Sequence, residues 1–337
     1  MNKEELTQRV IEILTRAGFT LSERCNIRPR SFDLAARRQG ILLLLRVFSN
    51  VDGLNAPTAL AMKHISGCLN GSPLIIGSRS RNQVLEDGVA YFRHGIPLIS
   101  PTTLYDCFVE GVPPLVYAAP GGLYVSIDGE HLKNIRITRN ISLGELATEL
   151  GISRRTISKY EDEEMDASVD VVLRLEEVLN SEFVCPIRIF STGRNSAGQD
   201  HATVTAATPT STTAPTTASA SAQSEPDEVS LLLTPLGFVV VPAKQAPFAA
   251  VSDDGVCNTV LTGISGYNRT MAKNAHLMSS ISVVAGTKSL YIVKGGCKHT
   301  HIDDTVLIKE SEFKEIDDRD DVMQIIQERS IDRGDIT

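Results

Sequence analysis

The feature that most limits how this chain can fold is a long segment of small polar residues, from residue 191 to residue 228. It consists largely of Thr, Ser, Ala and Pro, and Val204 is its only branched aliphatic residue. Such a segment cannot bury enough apolar surface to offset the entropy that is lost on ordering. We therefore expect a disordered linker over 191–228, with folded parts on both sides of it.

The composition of the 337-residue chain, 42% hydrophobic and 22% charged, is typical of a globular protein with two or three domains. Its longest apolar run, Ile41–Leu45, is far shorter than the ~20 residues of a membrane span. The first ten residues, "MNKEELTQRV", lack the apolar core of a signal peptide. These patterns predict a cytoplasmic protein without a membrane partner.

The six cysteines include no C-x-x-C pair, which favours reduced thiols over a disulfide framework. Cys297, His299 and His301 alternate along "CKHTH", so a strand would place them on one face. A structural zinc site is normally closed by four ligands, and no fourth stands at a useful spacing. We therefore expect neither a metal nor a cofactor.

Segments typical of strands and helices alternate on both sides of the linker. This order predicts α/β domains over 1–117, called the N-terminal block below, and over 229–330, called the C-terminal block. An offset of 216 residues aligns the two blocks without gaps, and ten of the 45 positions from Phe32 to Ile76 are then identical. Together with the shared order of elements, this identity indicates that the C-terminal block is a repeat of the N-terminal block.

The N-terminal block resembles restriction-endonuclease-like domains of the PD-(D/E)xK type in its alternation and in "FD" at Phe32-Asp33. Such nucleases need two acidic groups for a divalent metal and a lysine that steadies the attacking water. Asp33 could supply the first acid, but Leu44 and Arg46 stand at the other two positions. The aligned residues of the C-terminal block are Ala249, Val260 and Thr262. We therefore predict catalytically degenerate, nuclease-like blocks, and no enzyme.

The segment 124–188, called the reader below, contains "ISLGELATELGISRRTISKYE" from Ile141 to Glu161. Ser142 and Glu145 form a capping-box pattern, Gly151 ends the first helix, and Ser153 begins a second. Two short helices around such a turn are a helix-turn-helix. Its predicted core consists of Leu146, Ala147, Leu150, Gly151, Ile152, Ile157 and Tyr160. The run "EDEEMD", residues 161–166, is expected to be a solvated loop.

The pattern leaves polar and basic residues of the second helix free to contact DNA. The predicted base-edge contacts are Ser153, Arg154, Arg155, Thr156, Ser158 and Lys159, because Arg pairs with guanine and hydroxyls reach base edges. The predicted phosphate contacts are Lys133, Arg136, Arg139 and Ser142. Residues 131–160 hold six Lys or Arg against two Glu, although the whole chain has a formal net charge of −8.

The quoted stretch resembles the Xre/Cro-type helix-turn-helix of phage repressors, over about Glu130 to Pro186. The whole arrangement is similar to a family of HTH-type transcriptional regulators found mainly in archaea, in which a nuclease-like domain precedes the reader. One departure concerns Leu143, since many Xre readers have a phosphate-contacting Gln at this position. The resemblance implies transcriptional regulation.

The predicted fold is therefore multi-domain: nuclease-like α/β end domains flank an all-α, Xre/Cro-type DNA-binding domain. We predict a sequence-specific regulator that reads the major groove of double-stranded DNA, as a homodimer formed through the end domains. The alternatives are a metal-dependent nuclease and a protein-interaction scaffold. The sequence identifies no small-molecule effector.

Overall fold

We describe the protein from a computed structural model that covers residues 2–81, 83–190, 227–255 and 258–331, with residue 331 described by its backbone alone. The predicted linker lies outside the described residues, except for Asp227 and Glu228 at its end. No helix among the described residues is long and apolar enough to cross a membrane.

The N-terminal block contains a mixed sheet flanked by helices. A 3₁₀ turn covers Val51–Gly53 and a π-helical turn covers Asp106–Glu110. The other elements are α1 (Lys3–Arg16), β1 (Thr20–Leu21), β2 (Leu34–Arg38), β3 (Ile41–Asn50), α2 (Ala56–Cys68), β4 (Ser72–Ser80), β5 (Gln83–Val84), β6 (Val89–Arg93), β7 (Ile96–Ile99), α3 (Pro101–Tyr105) and β8 (Val116–Ala119).

The reader is mainly helical, as its sequence predicts, and short strands frame its helices. Its elements are β9 (Gly122–Ile127), α4 (Gly129–Thr138), α5 (Leu143–Leu150), α6 (Arg154–Glu161), β10 (Ala167–Ser168), α7 (Val169–Leu179) and β11 (Val184–Cys185).

The C-terminal block is again an α/β unit. Its elements are α8 (Glu228–Leu233), β12 (Val239–Pro242), β13 (Ala250–Asp253), β14 (Thr259–Gly266), α9 (Arg269–Ala285), β15 (Lys288–Lys294), β16 (His301–Ile302), β17 (Thr305–Lys309), α10 (Glu310–Phe313) and α11 (Arg319–Ile331). The predicted combination of nuclease-like α/β blocks with a helical reader is therefore confirmed.

The sheets of the two blocks have the same topology. Strands β1-β2-β3-β4-β7-β6 of the N-terminal block correspond in order to β12-β13-β14-β15-β17-β16 of the C-terminal block. In both sheets the third strand pairs in parallel with the fourth, and the fourth with the fifth, while the outer pairs are antiparallel. This agreement supports the duplication that we infer from the sequence.

The two blocks pack on each other through one apolar core. Its members include four pairs of residues that the 216-residue offset aligns: Phe32 and Phe248, Ala35 and Val251, Ile65 and Ile281, and Leu69 and Ala285. Polar contacts flank this core, since Glu23 N donates to Ser280 Oγ at 2.6 Å and Ser31 N donates to Gln245 O at 2.7 Å. Each block therefore covers the apolar face of the other.

The reader is joined to the N-terminal block at both of its ends. Strand β8 pairs with β6 of the block on one side and with β9 of the reader on the other, so the sheet continues into the reader. After α7 the chain returns to the block, where Ile187 N donates to Pro114 O at 2.8 Å and the Phe190 ring stacks on Phe108. One strand pairing, one backbone hydrogen bond and an aromatic contact thus hold the reader on this block.

Candidate nucleic-acid interface

Local capping determines where the two helices of the motif begin and end. Ser142 Oγ accepts from Glu145 N at 3.2 Å, while Glu145 Oε2 accepts from Ser142 N at 2.7 Å. Gly151 ends α5 with φ of 69°, the left-handed conformation that glycine adopts without strain. Ser153 Oγ then accepts from Thr156 N at 3.1 Å and begins α6.

Apolar side chains hold α5 and α6 together in a single core with the flanking helices. Leu146, Ala147, Leu150, Ile157 and Tyr160 are buried in it, and Ile152 packs against it from the turn. Leu143, at the position where the resemblance to Xre readers leads us to expect a glutamine, is half-buried against the same core. The residue that departs from the family pattern therefore has a packing role in this chain.

The opposite side of α6 presents the residues predicted to contact bases. Arg154 and Arg155 are exposed, as is Ser153, whereas Thr156, Ser158 and Lys159 are half-buried. Ser153 Oγ and Thr156 Oγ1 lie 2.8 Å apart, and Ser158 Oγ donates to Asp162 Oδ2 at 3.2 Å. The three hydroxyls therefore already have partners within the helix, and Arg155 and Lys159 supply its positive charge together with Arg154.

The guanidinium of Arg154 lies back over α5. A methyl group added to Gly144 would stand 2.8 Å from Arg154 Nη2, so a glycine at this position gives the guanidinium room. This places a positive charge beside the first turn of α5, next to Leu143.

Of the four residues predicted to hold phosphates, Lys133, Arg139 and Ser142 are exposed. The fourth, Arg136, has its guanidinium engaged inside the reader. Its Nε and Nη2 donate to the two carboxylate oxygens of Glu161, and Nη1 donates to Ile141 O at 3.0 Å. The bond to Glu161 raises the pKa of Arg136.

The expected solvated loop is confirmed for residues 162–165, which are exposed and belong to no helix or strand, but its two ends differ. Glu161 belongs to α6 and its side chain is only 5% exposed. At the other end of this run, Asp166 accepts hydrogen bonds from Tyr117 Oη at 2.7 Å and from Ser126 Oγ at 2.9 Å. Two of the acidic residues therefore fasten the reader, to itself and to β8. The partners of Glu161 and Asp166 lie far away in the sequence, so no local pattern indicated these bonds.

The nuclease-like site of the N-terminal block contains one acid among three cations. Asp33 is fully buried; Arg30 Nε, Lys3 Nζ and Arg46 Nη1 lie 2.7, 3.3 and 3.5 Å from its Oδ1. Its Oδ2 accepts from Val47 N at 2.8 Å. Burial opposes ionisation of Asp33, but the charges of Arg46, Lys3 and Arg30 and the Val47 amide outweigh it, so its pKa lies below the usual value.

This residue set does not fit a divalent metal ion. Mg²⁺ and Ca²⁺ bind oxygen ligands, usually including carboxylates, and three neighbouring cations repel them. The second acidic position is the buried Leu44, and no group of three or more His, Cys, Asp or Glu suited to a metal occurs among the described residues. In the C-terminal block the aligned positions are Ala249, Val260 and Thr262, which carry no charge.

Together, a capped helix pair with an exposed basic face and an attached nuclease-like block define a helix-turn-helix protein of the DNA-binding class. Family models agree, because residues 3–114 match the PD-(D/E)XK superfamily domain and residues 132–184 match a helix-turn-helix family. No solved structure matches the chain significantly.

Relatives match the chain over nearly its whole length. A protein of Methanococcoides burtonii is 49% identical over 330 residues, which cover 98% of each chain. A Methanosarcina barkeri protein is 47% identical, with 98% of each chain covered, and a Natronomonas pharaonis protein is 44% identical, with 98% and 99% covered. The names of all three describe a proposed role as HTH-type transcriptional regulatory proteins. The chain belongs to this family, which confirms the resemblance seen in its sequence.

Proposed function

We propose that the chain is a sequence-specific transcriptional regulator in the cytoplasm that places α6 in the major groove of double-stranded DNA. This proposal rests on the exposed basic face of α6. A cap determines where this helix begins, and its opposite face packs in the reader core. Arg155 is exposed on the first turn of α6 beside Arg154, whose guanidinium lies over α5; Ser153 caps this turn and Ile157 anchors the helix. In helix-turn-helix readers the residues of this turn contact base edges.

The predicted contacts separate into two kinds. Arg155 is the best candidate for a bidentate bond to guanine O6 and N7, because arginine has this geometry. Lys133 and Arg139 on α4, with Ser142 at the start of α5, are placed to hold phosphates, which fixes orientation without reading sequence. Thr156 and Ser158 can contact a base without giving up their present hydrogen bonds, because a hydroxyl has one donor and two acceptor sites.

The proposal is tested by selecting genomic fragments with the purified full chain and sequencing those retained. We expect a small set of fragments with a shared motif. A protein-interaction scaffold would retain no fragment even at low salt, where binding driven by phosphates is strongest. Retention of all fragments equally would show binding without sequence reading and would contradict the proposal.

We also propose that the N-terminal block does not cleave DNA, because Asp33, the one acid of its nuclease-like site, is already paired with three cations. Plasmid DNA incubated with the protein and Mg²⁺ or Mn²⁺ should stay intact. Cleavage that disappears in Asp33→Ala would instead establish a metal-dependent nuclease, the alternative that the PD-(D/E)XK match favours.

The predicted homodimer needs a surface other than the apolar faces of the end blocks, because these cover each other within one chain. We propose a monomer in free solution and two copies on a two-fold operator, with readers ~34 Å apart. Sedimentation equilibrium with and without a selected fragment measures both states. A stable dimer at micromolar concentration without DNA would contradict this arrangement.

A further inference from the structure

The cluster around Asp33 has more positive charge than its single carboxylate can balance. Lys3, Arg30 and Arg46 all lie within 3.5 Å of one oxygen of Asp33, which leaves a net charge of +2. The side chains of Arg30 and Arg46 are 10% and 14% exposed, so water screens these charges only weakly. Cations buried to this degree are normally paired.

Arg46 also has hydrogen-bond donors without acceptors. Its Nε and Nη1 are buried, and neither finds a hydrogen-bond acceptor in the part of the chain that the structure describes. Asp33 cannot supply one, since its Oδ2 is bonded to Val47 N and its Oδ1 already receives bonds from Lys3 and Arg30. Buried donors of this kind are rare and call for a partner.

The Phe48 ring closes one side of the cluster, and Lys3 is its most exposed member. The Arg46 guanidinium and the Lys3 ammonium lie 5.3 and 5.6 Å from the centre of the Phe48 ring, which packs beneath both. Arg46 is fixed on β3, whereas Lys3 stands in the first turn of α1 and is 32% exposed. Lys3 is therefore the member of the cluster most accessible to solvent.

We propose that Lys3, Arg30 and Arg46 form a binding site for a phosphate group. A phosphate oxygen accepts from one of the two unpartnered nitrogens of Arg46, Nε or Nη1, which lie on different edges of the guanidinium, and Lys3 and Arg30 balance its charge. The phosphate belongs either to a small phosphate compound or to the DNA backbone. The C-terminal block has no such site, because Ala246, Ala249 and Thr262 occupy the positions of Arg30, Asp33 and Arg46. The proposal does not depend on what the reader does.

The test is isothermal titration calorimetry of the full chain with pyrophosphate, at an ionic strength held constant with NaCl. The wild type should bind one equivalent saturably. Arg46→Gln should weaken binding at least about tenfold, since it removes charge-assisted hydrogen bonds. Arg9→Gln, at an exposed position of α1, serves as the matched control and should bind like the wild type.

Two further variants keep the test decisive if Arg46→Gln does not fold. Lys3→Gln, at the exposed side of the cluster, should also weaken binding. Asp33→Asn removes the competing carboxylate, so pyrophosphate should bind it more tightly and should raise its melting temperature more than that of the wild type. No saturable binding at millimolar pyrophosphate, or equal binding by the wild type and the cluster variants, would overturn the proposal.

A competition experiment identifies the source of the phosphate. It uses a chain carrying Arg154→Ala and Arg155→Ala, so that the reader contributes little to DNA binding, and a 20-base-pair duplex of arbitrary sequence. Displacement of pyrophosphate by the duplex assigns the site to the DNA backbone. Failure of the duplex to compete assigns it to a small phosphate compound, and both results retain the phosphate site.

Discussion

Arg136 and Glu161 stand 25 residues apart in the sequence and form an ion pair that joins α4 to α6. Their side chains are only 12% and 5% exposed, so removing one partner leaves an uncompensated charge in the reader core. We expect Arg136→Ala to lower the free energy of unfolding by about 3–5 kcal/mol. Chemical denaturation followed by circular dichroism measures this loss.

The matched control is Arg139→Ala, since Arg139 is exposed at the end of the same helix. A surface substitution of this kind typically changes stability by about 0.5 kcal/mol or less. Equal losses from the two substitutions would mean that the buried pair has no special role in the reader.

His276 connects the two blocks and gives their packing a pH dependence. Its Nε2 lies 2.9 Å from Glu23 Oε2 of the N-terminal block, and its Nδ1 is hydrogen-bonded to Asp303. The bond to Asp303, and the charges of Glu23 and Asp303, raise the pKa of His276 above its ordinary value of 6.5. The protonated form is therefore favoured in the folded protein.

A raised pKa contributes stability that is complete below the unfolded value and disappears as pH rises through the folded value. We expect the wild type to be more stable than His276→Gln at pH 5.5, and this advantage to shrink above pH 6.5. Melting temperatures of both proteins, measured from pH 5.5 to pH 8.5, provide the check. Because His276 is half-exposed, the effect is modest; a difference that does not change with pH would contradict the ion-pair account.

At the scale of single elements, the motif helices were predictable because their signals are local. Ser142, Gly151 and Ser153 act within a few residues of the bonds they make, and α5 and α6 begin and end where these residues indicate. The ion pair of Arg136 and the role of Asp166 were not predictable. Arg136 and Asp166 each depend on a partner that only the tertiary fold brings close. For this reason the sequence alone led us to predict a phosphate contact for Arg136.

Strand β8 is the element that attaches the reader to the N-terminal block. Tyr117 Oη on this strand donates to Asp166 Oδ2 at 2.7 Å, and burial together with this bond raises the pKa of Tyr117 above its ordinary value. Tyr117→Phe should lower the free energy of unfolding by about 1–2 kcal/mol, because a half-buried carboxylate loses a hydrogen bond.

Hydrogen exchange locates the effect of that substitution. The amides of β8 and β9 should exchange faster in Tyr117→Phe than in the wild type, while those of the C-terminal block stay unchanged. Faster exchange throughout the chain would indicate general destabilisation, and would mean that the bond does not act at the junction.

At the scale of the whole molecule, the repeat could be inferred from sequence but its consequence could not. Ten identities in 45 positions and a shared element order indicated two similar blocks. They did not show that Phe32 and Phe248, among other aligned residues, meet in one core. This packing depends on which face of each block is apolar in the folded structure. The resulting molecule has two nuclease-like blocks and one reader.

The whole-molecule account depends most on the claim that this single reader distinguishes DNA sequences. The direct test measures binding of wild type and Arg155→Ala to a selected fragment and to its single-base-pair variants by fluorescence anisotropy. We predict that Arg155→Ala loses about 1–3 kcal/mol on the selected fragment and becomes indifferent to the base pair at one position. An equal loss of affinity on every sequence would show that Arg155 touches only phosphate, and would contradict the assignment of α6 as the reading helix.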